Sequence, residues 1–292
     1  MNTLILSNLI VSGLGTGAIY AIVALGIVFI FRTMEAVNFA EGDMGMFMTF
    51  VAFSLICLKI PYPLVFIIVV ALSFLFGVLV EKGILQFIKG MSPMAITIVT
   101  LGFVMVFQGL AGFIWGTDTK PFPPLWKGPP IKAHGIILGR QDVVTLITAF
   151  VIFIIFVLLL KKTKIGIAVR AVSEDRYAAL LMGVRVSTIF AFVWGFSGLL
   201  AGLGGMLAAP RFSLDVNMMT TIQLEAFTAA VLGGFSSIPG AIFGGLTLGV
   251  LENLISFYVS SSLKEPISLI IIVVVLLVSP NGLFGKKMNK KV

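Results

Sequence analysis

The chain has 292 residues, of which 59% are hydrophobic and only 11% charged, with a mean hydropathy of +1.15. Soluble domains carry about 25% charged residues, so a water-facing fold of this size could not hide so much apolar surface, and lipid must be the solvent for much of it. A single cysteine, Cys57, and a single histidine, His134, exclude an intrachain disulfide framework, a cysteine metal cluster and a His-pair zinc site. The net charge of +8 does not point to nucleic acid. The basic residues sit at the ends of apolar runs, where they set topology and meet anionic headgroups.

A membrane span needs about 20 apolar residues. Residues 1–31 carry no charge and lack the basic start of a cleaved signal peptide, so they read as a retained first span at 8–31. Further spans are predicted at 36–58, 62–82 and 92–116. The stretch 117–142 holds five prolines, resists helix, and reads as an extended external loop. A linking span follows at 141–161, then a polar segment at 162–186 and a span at 187–209. The next apolar stretch, 226–263, contains one charge, Glu252, and is interrupted by Ser236-Ser237-Ile238-Pro239-Gly240. It predicts a hairpin of a short helix at 223–233 and a longer one at 239–258. A last span is expected at 265–284. The chain thus reads as an all-α polytopic membrane protein, a single transmembrane domain over 1–292 with about eight full spans and one short broken or re-entrant helix.

Charge sets the orientation. With the N-terminus outside, the cytoplasmic segments hold Arg32; Lys82 and Lys89; Lys161, Lys162, Lys164, Arg170, Arg176 and Arg185; and the tail lysines 286, 287, 290 and 291. That is thirteen of the 20 Lys and Arg, a bias that predicts N-out and C-in. The hairpin is required by parity, because a single crossing at 226–258 would leave the lysine tail outside. The sets 1–116 and 187–285 then enter the membrane from opposite sides, the layout of inverted repeats, with 141–161 as the link. Glycines spaced four apart, at Gly13/Gly17, Gly112/Gly116, Gly198/Gly202, Gly240/Gly244 and Gly245/Gly249, predict closely approaching helices. Non-helical backbone at membrane depth survives only against protein or a water-filled cavity. The break at 233–240 therefore reads either as part of a lined pathway or as a tight turn at the cytoplasmic surface.

The segment 161–185 carries the strongest functional signal. Ser173 suits an N-cap, Glu174 and Asp175 suit a first turn, and Gly183 suits a stop, which predicts a helix of about nine residues. Tyr177, Leu180 and Leu181 share a face, which suits a helix offered to a partner's groove. No G-x-x-x-x-G-K-[ST] phosphate loop occurs, so any ATPase is expected on a separate subunit.

The motif G-x-x-x-R-A-x-x-E-D at Gly166, Arg170, Ala171, Glu174 and Asp175 is followed by Ala178 and Gly183. With it stand A-F-T-A-A-V-L-G-G-F-S-S-I-P-G-A at 226–241, N-F-A-E-G-D at 38–43 and S-P-N-G-L-F-G at 279–285. On these motifs the chain resembles, over almost its whole length, the H-type permease subunit of branched-chain amino-acid ABC importers. The resemblance implies an inverted-repeat permease fold in the cell's inner or plasma membrane. It further implies a cytoplasmic coupling helix formed by Gly166, Arg170, Ala171, Glu174, Asp175, Ala178 and Gly183. Two ABC ATPase subunits would bind ATP and Mg, a sister permease would complete the pathway, and an extracytoplasmic binding protein would deliver leucine, isoleucine or valine. No cofactor, metal or catalytic residue is expected on this chain. The family usually has His at the position of Glu41, Glu at that of Asp43, and a basic residue at that of Glu225. Related permeases serve urea, short amides and other amino acids.

Candidate pathway residues are Asn38, Glu41, Asp43, Gln108, Phe227, Thr228, Gly233, Gly234, Ser236 and Pro239. Acidic groups inside a membrane are functional candidates by default, although those at 35–43 lie near enough to the cytoplasmic side to snorkel to water. An ion-coupled secondary transporter would want paired ionisable groups at mid-membrane and would leave the cytoplasmic helix without a purpose. An intramembrane enzyme finds no metal cluster or Ser/Lys dyad here.

Overall fold

A computed structural model describes residues 3–88, 92–133, 136–279 and 281–285. The lysine tail, Lys89 and His134 lie outside these described residues. In chain order the first half runs α1 (Thr3–Met34), α2 (Glu41–Cys57), α3 (Tyr62–Gly83) and α4 (Pro93–Trp115). A small antiparallel hairpin, β1 (Ile131–Ala133) and β2 (Ile136–Leu138), lies in the proline-rich loop. After it come α5 (Arg140–Lys162), α6 (Lys164–Glu174) and α7 (Arg176–Leu181). The second half runs α8 (Val186–Phe212), α9 (Met218–Gly233), α10 (Ile238–Tyr258) and α11 (Lys264–Val278).

Among the described residues, seven helical stretches are long and apolar enough to span a bilayer. Two expected spans shorten: the last, 265–284, whose helix α11 ends at Val278 after 15 residues, and the second, 36–58. Helix α1 continues to Met34, Glu35 adopts a positive φ of 56°, and the chain runs without helix to Ala40. That leaves α2 with 17 residues. Helix α9 has 16 and begins at Met218 rather than 223. The short helices α2 and α9 thus stand at matching places, one in each half.

The matching extends to packing. Helices α1 to α4 correspond in order to α8 to α11. The closest-packed pairs, α1 with α10 and α3 with α8, exchange into one another under this correspondence, as do α2 with α8 and α9 with α1. Glycine makes both main crossings possible. A Cβ on Gly17 or Gly245 would strike the backbone of the facing helix, α10 and α1 respectively, and one on Gly198 would strike Ser73 and Gly77 of α3. The spaced glycines at 13/17, 198/202 and 245/249 are thus the seams between the halves, and 240/244 faces α9. Gly116 meets open space and Gly112 only Thr117 of the adjoining loop, so that pair seals nothing within the described residues.

At the outer end, Arg211 of α8 ties α1 and α5 together. Its guanidinium donates to Asp142 at 2.8 Å and to Ser12 at 2.9 Å. The proline-rich loop is pinned over this end rather than loose: Arg140 donates to the carbonyls of Lys127 and Pro129 and stacks over Trp126 at 4.8 Å.

Candidate functional site

Two regions stand out, a crossing of broken helices within the bundle and a lever on the cytoplasmic end. The crossing begins with the non-helical link 35–40 between α1 and α2. Unwound backbone inside a membrane protein must find partners from other elements. Here the Val37 and Phe39 amides donate to the Thr97 and Thr100 hydroxyls of α4, at 3.3 and 3.2 Å. The Asn38 side chain accepts from the Ala40 amide at 3.1 Å, turning the chain into α2. Gln223 of α9 completes the set: it accepts from the Gly42 amide at 2.7 Å and donates to the Asn38 carbonyl at 3.3 Å. One amide side chain thus stitches the start of α2 to the middle of α9.

Beside this stitch lies a cavity of about 480 Å³ lined by Phe39, Thr220, Gln223, Leu224 and Phe227, with Leu269 and Ile272 of α11 opposite. Positions 220, 223, 224 and 227 form one face of α9. The rings of Phe39 and Phe227 stack at 5.9 Å, Phe227 meets Phe235 at 5.3 Å, and Phe235 meets Phe31 at 4.7 Å. A continuous row of half-buried aromatic rings therefore runs from the cavity to the end of α1.

Of the predicted pathway residues, the structure brings Asn38 and Phe227 to this crossing. Asp43 and Gln108 meet each other, the Gln108 amide donating to the carboxylate at 2.9 Å, and bind α2 to α4. Glu41 does not snorkel to water: it is fully buried, with its carboxylate against Gly26 of α1 and beside Ser197 of α8. Only a glycine at 26 leaves room for it. Thr228 donates back to the Leu224 carbonyl of its own helix. Gly233, Gly234, Ser236 and Pro239 lie at the α9–α10 turn, at the same end of the bundle as the C-terminus of α1. There Gly234 has φ 96° and residues 283 and 284 donate to the Leu232 and Gly233 carbonyls, so the C-terminal N-G-L-F-G segment caps α9. Thr220, Gln223 and Leu224 escaped the sequence reading, and Phe39 entered it only within the 38–43 motif, not as a pathway candidate. The 3-and-4 spacing along 220–227 was the available signal.

On the cytoplasmic end, the expected single helix is two. Ser173 is not its N-cap; that hydroxyl donates back to the Val169 carbonyl at 2.8 Å. Asp175 is the cap, its carboxylate accepting from the Tyr177 and Ala178 amides at 2.9 and 3.0 Å. One carboxylate here satisfies two otherwise orphaned amides, and that breaks the segment into α6 and α7. Gly183, at φ 83°, closes α7, with the Val184 amide donating to the Ala179 carbonyl. Tyr177, Leu181 and Met182 are each more than 80% exposed, an apolar knob at the tip. The base is fastened to the bundle. Arg170 donates to the Leu160 carbonyl at 2.6 Å, and Gly166 packs where a Cβ would strike the end of α5. Arg176 donates to the Thr33 carbonyl of α1 at 3.4 Å and lies over Phe190 of α8 at 5.4 Å. Ala171 is half-buried, and Glu174 and Ala178 are exposed.

Residues 9–279 match the family described as branched-chain amino acid transport system permease component. The high-affinity branched-chain amino acid permease protein LivH of Escherichia coli K12 is 27% identical, with 96% of each chain covered. The corresponding BraD protein of Pseudomonas aeruginosa is 26% identical over 97% of each. Among solved structures, PsaBC of Streptococcus pneumoniae, determined with a Fab, superposes with a TM-score of 0.51 at 16% identity, over 92% of this chain and 91% of that one, a likeness of fold.

Proposed function

Since the chain belongs to the branched-chain amino acid transport system permease component family, we propose that it moves leucine, isoleucine and valine inward as the permease subunit of an ATP-binding-cassette importer. It is a multi-pass protein of the inner membrane and a transport subunit rather than an enzyme. Two separate ATPase subunits bind ATP and Mg and do the hydrolysis. A sister permease completes the pathway, and an extracytoplasmic binding protein delivers the amino acid.

The observation that carries this reading is the fastened cytoplasmic lever. An exposed apolar knob on α7 suits a groove on an ATPase. Its base holds α1 through Arg176 and Thr33 and leads within a few residues into α8. Those two long helices each run directly into a broken link, 35–40 and 213–217. A push on α7 therefore reaches the two long helices that lead into the crossing. The residues at 166, 170, 171, 174, 175, 178 and 183 serve this lever; 170 and 166 anchor it, and 175 and 183 bound the docking helix.

The cavity supports an apolar passenger. Phe39, Phe227, Leu224, Leu269 and Ile272 offer an aliphatic side chain a lining that urea or a short amide would not use. Thr220 places a hydroxyl on the same wall. Charge reversal at Arg170 and Glu174, or Leu181→Asp at the tip, should abolish substrate-stimulated ATP hydrolysis while the complex still inserts. Uptake driven by an ion gradient, with no ATPase subunit present, would sink the importer reading.

A further inference from the structure

A second cavity lies away from the crossing, at the cytoplasmic end of the bundle. It holds about 190 Å³ and its wall is apolar, formed by Phe29 of α1, Val157 and Leu160 of α5, Val169 of α6 and Ile238 of α10. Helices α5 and α10 both pack against α1, but they are not themselves a packed pair among the described residues. The cavity is the crevice left between them, floored by α1. Helix α5 lies at the periphery, with Ile154, Ile155 and Leu158 about half exposed just above, so the crevice sits beside lipid.

Its rim carries three cations from three elements, Arg32, Lys161 and Arg170. Each is at the end of a span or in the segment that follows, where phospholipid headgroups lie. Arg170 spends one guanidinium nitrogen on the Leu160 carbonyl, leaving its other donors at the rim. Glu174 lies within electrostatic reach of Arg32 and leaves the rim net positive. The attraction of Glu174 outweighs the repulsion between Arg32 and Arg170, and the remaining positive charge of the rim comes from three cations standing against one carboxylate.

We infer that this crevice binds one anionic phospholipid of the cytoplasmic leaflet, its phosphate between Arg32, Lys161 and Arg170 and one acyl chain in the groove between α5 and α10. Charge complementarity at the rim, an apolar wall below it and the position at headgroup level select this occupant together. The lipid would wedge the base of the lever against the ends of α1 and α10.

The test is native mass spectrometry of the full chain in detergent, titrated with phosphatidylglycerol and with phosphatidylcholine of the same acyl chains. One phosphatidylglycerol should be retained in preference to phosphatidylcholine. Each cation near an anionic headgroup is worth about fivefold in affinity, so Arg32→Gln with Lys161→Gln should weaken binding by roughly 25-fold. Lys162→Gln with Lys164→Gln, which removes the same charge from neighbouring exposed positions, should leave it unchanged. Val157→Trp keeps the three cations and fills the groove, and should also lose the lipid. Equal binding of both lipids, or retention in the Arg32/Lys161 variant, would overturn the assignment. Displacement by inorganic phosphate with Val157→Trp unaffected would overturn it in favour of a free-anion site.

Discussion

The links 35–40 and 213–217 occupy matching places in the two halves, yet they are held in opposite ways. The first is satisfied from within the membrane bundle, by Thr97 and Thr100 of α4 and by Gln223 of α9. The second is satisfied from the outer loop: Leu214 and Lys120 exchange both amide–carbonyl bonds, at 2.8 and 3.0 Å, and Asp215 accepts from the Asn217 amide at 2.8 Å. Even the turn residues correspond, with positive φ at Glu35 and Ser213. The same backbone event is thus built into the protein interior on one side and into the external loop on the other. The interior link can respond only when helices move. The outer link can respond to whatever touches the loop.

That asymmetry predicts a graded series of effects. The largest is expected from Gln223→Leu, which strips partners from both the Gly42 amide and the Asn38 carbonyl. Each buried group left unpaired costs about 1–3 kcal/mol, so thermal unfolding in detergent should show a loss of several degrees, with uptake down at least tenfold. Thr100→Val removes one acceptor from the Phe39 amide and should cost about 1–3 kcal/mol by the same measurement. Next comes Asp175→Ala, which uncaps α7 at about 1 kcal/mol; the bundle should melt normally while substrate-stimulated ATP hydrolysis falls. The smallest is Asp215→Ala at the outer link, where water can replace the side chain. It should shift unfolding by less than about 1 kcal/mol. An outer variant as damaging as Gln223→Leu would erase the distinction between the links.

Much of the fold was legible in the sequence because apolar length and the placement of Lys and Arg are one-dimensional signals. The seams were also legible, since glycines four apart mark close crossings at 13/17, 198/202, 240/244 and 245/249, although the same spacing at 112/116 meets no facing helix among the described residues. The shortening of α2 was not. Residues 36–58 are apolar enough to read as a full span, and what unwinds 35–40 is a set of hydroxyl and amide partners 60 to 185 residues away. Asp175 was misplaced to a first turn because Ser173 is also a good cap. Tertiary contacts decided between them, with α6 continuing past Ser173 along the end of α5. Gln223 carried no motif of its own, and only its distance to Gly42 and Asn38 gives it a role.

On the proposed function, the cavity at Phe39 and Phe227 lies on the path of the transported amino acid and opens as α7 moves. The single cysteine makes a direct measurement possible. With Cys57→Ser as the background, Phe227→Cys can be assembled with its partner subunits in proteoliposomes and probed with a small polar thiol reagent across the ATP cycle. Reactivity should change between the nucleotide-free and ATP-bound states, be slowed by leucine with its binding protein, and be accompanied by loss of uptake. Asp215→Cys, on the same background, should react alike in every state. Equal reactivity of Phe227→Cys in all states, or full uptake after its complete modification, would place the cavity off the path.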